Sequence, residues 1–281
     1  MPNYWESRIL TLGDGTVLVE CGPMRMFIEG YAAGISQPEA CRRAAQEAIK
    51  FLEQIAEHRA EIEAPGLTLP EPPKRLLVHE MWQAVCLVGD EDLTPMAAVA
   101  GTIADATADF LASEGLTKVV VNNGGDVALR LMSGETVTVG IRPEVNGTDV
   151  TRRILITSEM NIRGICTSGL GGRSFTRGVA SAATVFASRA SLADAAATAV
   201  ANATYIVSPA VRRCRADSID PNTDLRGVEI TSDVGELTLD EIDTALKQGI
   251  ERAEQLVKRS LIVGACVAAK GHIRCIGAFV E

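Results

Sequence analysis

Four things are missing from the sequence: CxxC cysteine pairs, a GxGxxG opening a helix after the first strand, an uninterrupted apolar run, and any excess of basic charge. Seven cysteines (Cys21, Cys41, Cys86, Cys166, Cys214, Cys266 and Cys275) without CxxC spacing suggest neither a zinc module nor a complete disulfide framework. They read as buried thiols in a reducing compartment. Without the dinucleotide fingerprint, a doubly wound Rossmann fold is not expected. The net charge of −9 argues against nucleic acid as a partner, because a long phosphate footprint requires a basic face. No stretch reaches the roughly 18 apolar residues that a membrane helix needs. The amino terminus MPNYWESRIL lacks a basic n-region and a long apolar core, so a cytoplasmic protein is expected. Of three histidines, His58 reads as a solvated helix residue and His272 as a structural one.

A chain of 281 residues that is 47% hydrophobic can bury a sizeable core. Residues 63–74 hold four prolines and a glycine without a sustained period, and read as an exposed connector between two intimate halves of one domain, 1–62 and 75–281.

The first half opens with three expected strands, 8–12, 16–21 and 24–28, broken by Gly13-Asp14-Gly15 and Gly22-Pro23. A helix follows from Ser36, Pro38 and Glu39, with Cys41, Ala45, Ala48, Leu52 and Ile55 along its apolar stripe. The stretch Leu76 to Val88 admits either helix or strand. Thr94 and Pro95 open a further helix that Gly115 ends, and Gly101 inside it implies a close neighbour. On that helix Asp105 and Asp109 lie one turn apart and read as a solvated polar edge. Residues 118–121, 127–132 and 136–141 predict a meander, and 154–157 and 163–166 two more strands. Residues 214–226 read as an exposed loop, Thr238 and Glu241 cap a last helix, and strands at 261–268 and 272–280 close the chain. Strands in meanders with helices between them predict an α+β architecture of antiparallel sheets with helices packed on one side.

The sequence is organised around the stretch from Gly164 to Ala203. Glycines at 169, 171, 172 and 178 let backbone N–H groups approach a ligand, and Arg173 and Arg177 carry forks that suit phosphate oxygens. Asp194 and Thr198 are four apart, so on a helix both leave one face, where a carboxylate and a hydroxyl can share Mg²⁺. A plainer reading also stands: Ser191 and Asp194 fit a capping box, and the glycines fit an ordinary loop. At Asn122 to Asp126 the glycines permit backbone approach to a ligand or simply a tight turn. Cys166 reads either as a nucleophile with a lowered pKa or as a small packed thiol.

Several of these segments together resemble one family. ADAAAT from Ala193 to Thr198 followed by Ala201-Asn202, the CTSG turn, VNNGGDVAL from Val121 to Leu129 and VGIRPE from Val139 to Glu144 are similar to the ApbE superfamily. Its best-known members are FAD:protein FMN transferases. PMAAVAG from Pro95 to Gly101 resembles more closely an uncharacterised cytosolic branch of that superfamily. The resemblance implies a T-fold-like architecture with a pocket between two halves. It implies Asp194 and Thr198 as Mg²⁺ ligands beside the diphosphate of a flavin nucleotide such as FAD. It also implies Asn123, Gly124, Gly125 and Asp126 at the nucleotide pocket. To these the residues themselves add Thr167, Ser168 and Gly169 of the CTSG turn on the ligand, and Arg173 and Arg177 to neutralise its phosphate.

The departures are specific. The transferases carry a histidine and an isoleucine-aspartate-proline stretch between the TSG turn and the ADxxxT helix, and this chain has neither there. Where the closer branch has histidine and aspartate, this chain has Arg173 and Ser181. The expectation is therefore a Mg²⁺-assisted protein that binds a small phosphorylated ligand and acts on its diphosphate by FMN transfer or hydrolysis, with an acceptor protein and a homo-oligomer left open. The alternative is a non-catalytic metabolite-binding or accessory protein. Association of the closer branch with sulfur assimilation and homocysteine formation adds a thiol role for Cys166 as a third reading.

Overall fold

The computed structural model describes residues 8–69, 73–143, 150, 152–172 and 174–277. Arg173, Glu144 and the end of the last expected strand, 278–280, lie outside them.

Among the described residues one antiparallel sheet runs in the order β1-β2-β3-β5-β6-β9-β10-β13-β14, with a short β4 paired to β3. Its strands are β1 (Ile9–Thr11), β2 (Val17–Cys21), β3 (Met24–Ala32), β4 (Ile35–Ser36), β5 (Lys118–Asn123), β6 (Asp126–Leu131), β9 (Gly164–Ser168), β10 (Ala182–Ala187), β13 (Gly264–Ala269) and β14 (His272–Ile276). Alternation along these strands divides the core between two faces. Cys166 joins the large cluster under the helices, while its neighbour Ile165 joins a second cluster with Phe186 and Leu129 under the separate hairpin β7 (Thr136–Ile141) and β8 (Arg152–Thr157). Helices therefore cover one face and a small hairpin the other. The expected α+β architecture is the one observed.

Each long helix lies over a strand pair. α1 (Pro38–Glu57) covers β2 and β3, α3 (Val99–Ser113) covers β5 and β6, α4 (Ala190–Ala203) covers β9 and β10, and α6 (Leu239–Lys258) covers β13 and β14. The ambiguous stretch is a helix, α2 (Leu76–Val88), packed outside α4. Its buried positions 77, 78, 81, 84, 85 and 88 follow a helical period, and Gly89 ends it in the left-handed region at φ 85°.

α4 is enclosed nearly all round, which its alanine-rich sequence permits. The backbone of its neighbours comes so close that side chains are excluded. A Cβ on Gly101 would sit 2.3 Å from the carbonyl oxygen of Ala190, and one on Gly178 1.9 Å from that of Ala201.

Two expectations are corrected. Residues 214–226 are not simply an exposed loop: β11 (Val211–Arg215) pairs with β12 (Glu229–Val234), and α5 (Ala216–Ile219) seats a fully buried Ala216 between them. The cysteines are not all free thiols. Cys266 and Cys275 are directly opposed on β13 and β14, with Cα atoms 4.0 Å apart, and are joined as a disulfide. Cross-strand register around Lys270-Gly271 brings them together, which no CxxC spacing signals. Among the described residues no helix is long and apolar enough to cross a membrane.

Candidate functional site

Asp194 and Thr198 leave the same face of α4 one turn apart, and α4 lies over β9 and β10. Asp194 is half-buried, and its Oδ2 accepts the N–H of Gly101 from α3 at 2.9 Å. Burial, and next the negative charge of Asp126, hold its carboxyl well above the usual carboxylate range, while the backbone N–H groups of Gly101 and Ala100 act in the opposite sense. Asp126 is the first residue of β6, immediately after the Gly124-Gly125 corner. Both glycines have positive φ, 70° and 113°, and Gly125 N–H donates to Asn122 Oδ1, so the corner is a two-residue hairpin turn. Asn123 is buried, and its side-chain amide donates to the carbonyl of Ala100 at 3.2 Å, tying this corner to the start of α3.

Cys166 lies beside the same carboxylates. Its thiol donates to the carbonyl of Ala190 at 3.2 Å and is fully buried. Burial, then the charges of Asp126 and Asp194, push its pKa well above that of an ordinary thiol. A nucleophile needs the reverse, a lowered pKa and access, so the packed-thiol reading is the one that holds. Ser168 ends the same strand on the same face as Cys166. Its Oγ is buried and has no hydrogen-bond partner.

These groups fit a hard cation and an anionic ligand. Two carboxylates raise each other's cost of ionisation where burial already opposes it, and either a proton or a cation removes that cost. Among the described residues no group of three or more His, Cys, Asp or Glu could hold a metal ion. A cation here would draw its further oxygens from Thr198, from backbone and from the ligand, as Mg²⁺ does in phosphate sites. The orphaned Ser168 hydroxyl matches a ligand oxygen.

Thr198 also lines a cavity of about 370 Å³ with Asn202 and Arg177. Its far wall is the 220–228 segment, including Asp220 and Asp224. That segment is docked, not free: Thr94 donates its hydroxyl to Asp224, and Arg59 donates to the carbonyl of Asn222. Sequence reading missed this wall because an apolar pattern marks buried segments, and this one is held by polar contacts. Arg177 faces the cavity, but its guanidinium is paired with Asp92 and its backbone N–H donates to Asn202 Oδ1 at 2.9 Å.

The remaining expected residues divide. Gly169, at φ 149°, follows Ser168 and passes so close to the carbonyl of Ser181 that a Cβ would lie 2.8 Å from it. Thr167 is on the opposite face of the sheet, with its hydroxyl hydrogen-bonded to that of Thr184 at 2.8 Å. It does not join Asp194. A larger cavity of about 700 Å³, lined by residues of α1, α2 and α3 and by Arg189, contains none of the expected site residues.

The seam between α3 and α4 corrects two further readings. Ser191 does not cap α4: the helix starts after Arg189, no side chain of its own caps it, and the N–H of Ser191 donates to Asp105 Oδ2 of α3 at 2.9 Å. The capping-box explanation for Asp194 therefore falls. Asp105 is not a solvated edge either. It is fully buried, with Arg130 Nη2 at 2.9 Å from its Oδ1 and Arg189 Nε at 3.4 Å from its Oδ2. Asp109, its partner one turn on, is 48% exposed and pairs with Arg130 at 2.6 Å.

The fold and site thus define an α+β protein in which α4, carrying Asp194 and Thr198 on one face, lies over an antiparallel sheet, with Thr198 on the wall of a cavity. A sequence-family model described as AbpE bacteria matches residues 8–275, and the chain belongs to that family. Among curated relatives it is similar to the UPF0280 protein of Methanococcoides burtonii, 44% identical over 115 residues that are 40% of this chain and 46% of the relative. The UPF0280 protein of Methanopyrus kandleri is 49% identical over 111 residues, 39% of this chain and 43% of its own. The chain spans about half the length of the curated relatives it matches. Among solved structures it is similar to the flavin transferase ApbE from Vibrio cholerae, at 12% identity, TM-score 0.46 and coverage of 94% of this chain and 96% of the other. The apo form of the Pseudomonas stutzeri flavinyl transferase ApbE gives 13% identity, TM-score 0.49 and 93% of each chain.

Proposed function

We propose that this protein binds a flavin nucleotide, FAD or FMN, together with Mg²⁺, and acts on the diphosphate of FAD by FMN transfer or hydrolysis. The observation that carries the reading is the position of Thr198, one turn from Asp194 on the same face of α4, on the wall of the 370 Å³ cavity, with the charge of Asp126 acting on Asp194. Family membership makes the flavin the first ligand to test. Asp194 and Thr198 would hold the ion, with Asp126 as the nearby second carboxylate. The bound ion would supply positive charge against phosphate oxygens, which these carboxylates otherwise repel. Ser168 and the backbone beside Gly169 would receive ligand oxygens, and Arg177, once released from Asp92, would donate its fork to a phosphate. The corner from Asn123 to Asp126 would border the nucleotide, and Arg173, outside the described residues, would neutralise phosphate charge. A cytoplasmic setting and an acceptor protein complete the proposal.

Titration of the purified protein with FAD and Mg²⁺, followed by assay for released AMP, tests it. AMP release that requires Mg²⁺ and is lost in Asp194→Asn is the expected result. Mg²⁺-dependent binding without AMP would favour a non-catalytic binding protein, a reading that the absence of the transferases' histidine segment supports. No FAD binding at any Mg²⁺ concentration overturns both.

A further inference from the structure

We propose that Asp105 is a positioning residue for the cation site, joining the two elements that carry its two carboxylates. The inference rests on the reading that Asp194 and Asp126 face a divalent cation. Asp194 belongs to α4 and Asp126 to β6, and nothing in the local sequence of either fixes their separation. Asp105 spans them. One of its oxygens accepts from the N–H of Ser191, three residues before Asp194 on α4; the other accepts from Arg130, four residues after Asp126 on β6 and on the same face of that strand. Arg130 is itself 8% exposed and is held further by donation to the carbonyl of Leu129 at 2.8 Å.

The geometry has two points of attachment between α3 and α4. Gly101 and Asp105 stand one turn apart on α3, and they engage Asp194 and Ser191 in turn. That fixes α4 against sliding or rotation along α3. Through Arg130 the same carboxylate sets β6, and so the start of that strand, against the helix. Arg189, just before α4, adds an ion pair on the Oδ2 side at 3.4 Å. A fully buried carboxylate held by two donors and an ion pair has one orientation only, and two carboxylates placed by it keep one spacing. Groups of this kind behind metal ligands typically change metal affinity by about 10- to 100-fold when removed.

The test uses the full chain and Mn²⁺ as the probe, followed by its electron paramagnetic resonance signal on titration. Asp105→Asn is expected to weaken Mn²⁺ binding by about 10- to 100-fold, and Arg189→Gln, which removes the ion pair from a half-exposed position, by a smaller factor. Leu111→Ala, a buried change at the far end of α3, is expected to lower thermal stability without shifting Mn²⁺ affinity, which separates positioning from general destabilisation. If Asp105→Asn does not yield folded protein, Arg189→Gln decides. Unchanged Mn²⁺ affinity in the variants overturns the proposal. If the wild-type protein and Asp194→Asn bind Mn²⁺ equally, the cation reading fails instead. Amide hydrogen exchange at Gly101 and Ser191 then judges the lock by itself: faster exchange at both in the Asp105 or Arg189 variant supports it, and unchanged exchange at Gly101 refutes it.

Discussion

Gly101 donates its amide hydrogen to Asp194 Oδ2 at 2.9 Å, and it can come that close only because it has no side chain. A Cβ at 101 would lie 2.3 Å from the carbonyl oxygen of Ala190 and 2.9 Å from Asp194 Cβ. Gly101→Ala therefore sets two effects against each other. Helix propensity favours alanine by about 1 kcal/mol, while forcing a methyl against fixed backbone costs about 1–3 kcal/mol and occasionally more. Backbone on the far side cannot swing away as a side chain can, so the clash wins. The variant is expected to have a lower urea midpoint than wild type and weaker Mg²⁺ binding; an unchanged or higher midpoint would show that α3 and α4 separate without penalty.

Asp194→Asn separates the electrostatic role of this residue from a structural one. The carboxyl is buried and opposed by the charge of Asp126, so replacing it by a neutral amide is expected to leave the metal-free protein at least as stable as wild type. What the variant loses is the response to Mg²⁺. A ligand present at one hundred times its Kd stabilises a folded protein by about 2.7 kcal/mol, and wild type should show a rise of that order on adding Mg²⁺ while Asp194→Asn shows none. Thermal melts with and without the ion make the comparison. Equal rises in both proteins would place the cation elsewhere.

Much of this arrangement was legible in the sequence because it rests on local patterns. The i, i+4 spacing of Asp194 and Thr198 set one helix face, the double glycine at 124 and 125 set a tight corner, and Gly101 inside a helix announced a close neighbour. What stayed hidden depends on partners distant in sequence. Asp105 reads as a surface acid until Arg130 and the N–H of Ser191 are brought to it from a strand and another helix. Cys266 and Cys275 are unremarkable until hairpin register sets them opposite each other. The 220–228 wall is polar, and its place is fixed by Thr94 and Arg59, which precede it by more than a hundred residues.

Arg177 and Asp92 make opposing predictions about anion binding. The guanidinium that faces the cavity is occupied by Asp92, so an incoming phosphate must compete for it. Arg177→Ala removes a charge-assisted contact of about 1.5–3 kcal/mol, which corresponds to roughly a 10- to 150-fold loss in FAD affinity. Asp92→Asn removes the competitor and is expected to tighten binding. Calorimetric titration of the two variants with FAD in Mg²⁺ reads both effects. Tighter binding in neither, or loss in both, would show that the pair is a structural strut and not a site for phosphate.

Glu80, on the wall of the larger cavity, carries the pH prediction. Burial raises its carboxyl above the usual range; Arg189 acts against that shift, and the charges of Asp105 and Asp109 add to it. An acid whose folded pKa is raised holds its proton in the folded state after the unfolded chain has released it. Stability contributed by this group is therefore complete below the unfolded value of 4.5 and falls as pH rises through the folded one. Glu80→Gln cannot ionise and escapes that loss. It does give up the contact with Arg189, but at 3.4 Å between side chains 43% and 27% exposed this is worth no more than about 1 kcal/mol. The variant is expected to match or fall slightly below wild type near pH 4 and to gain on it steadily toward pH 7, read as the difference in melting temperature across the range. Curves that stay parallel would mean that Arg189 fully offsets the burial of Glu80, and that the carboxylate is carried in the folded protein at no cost.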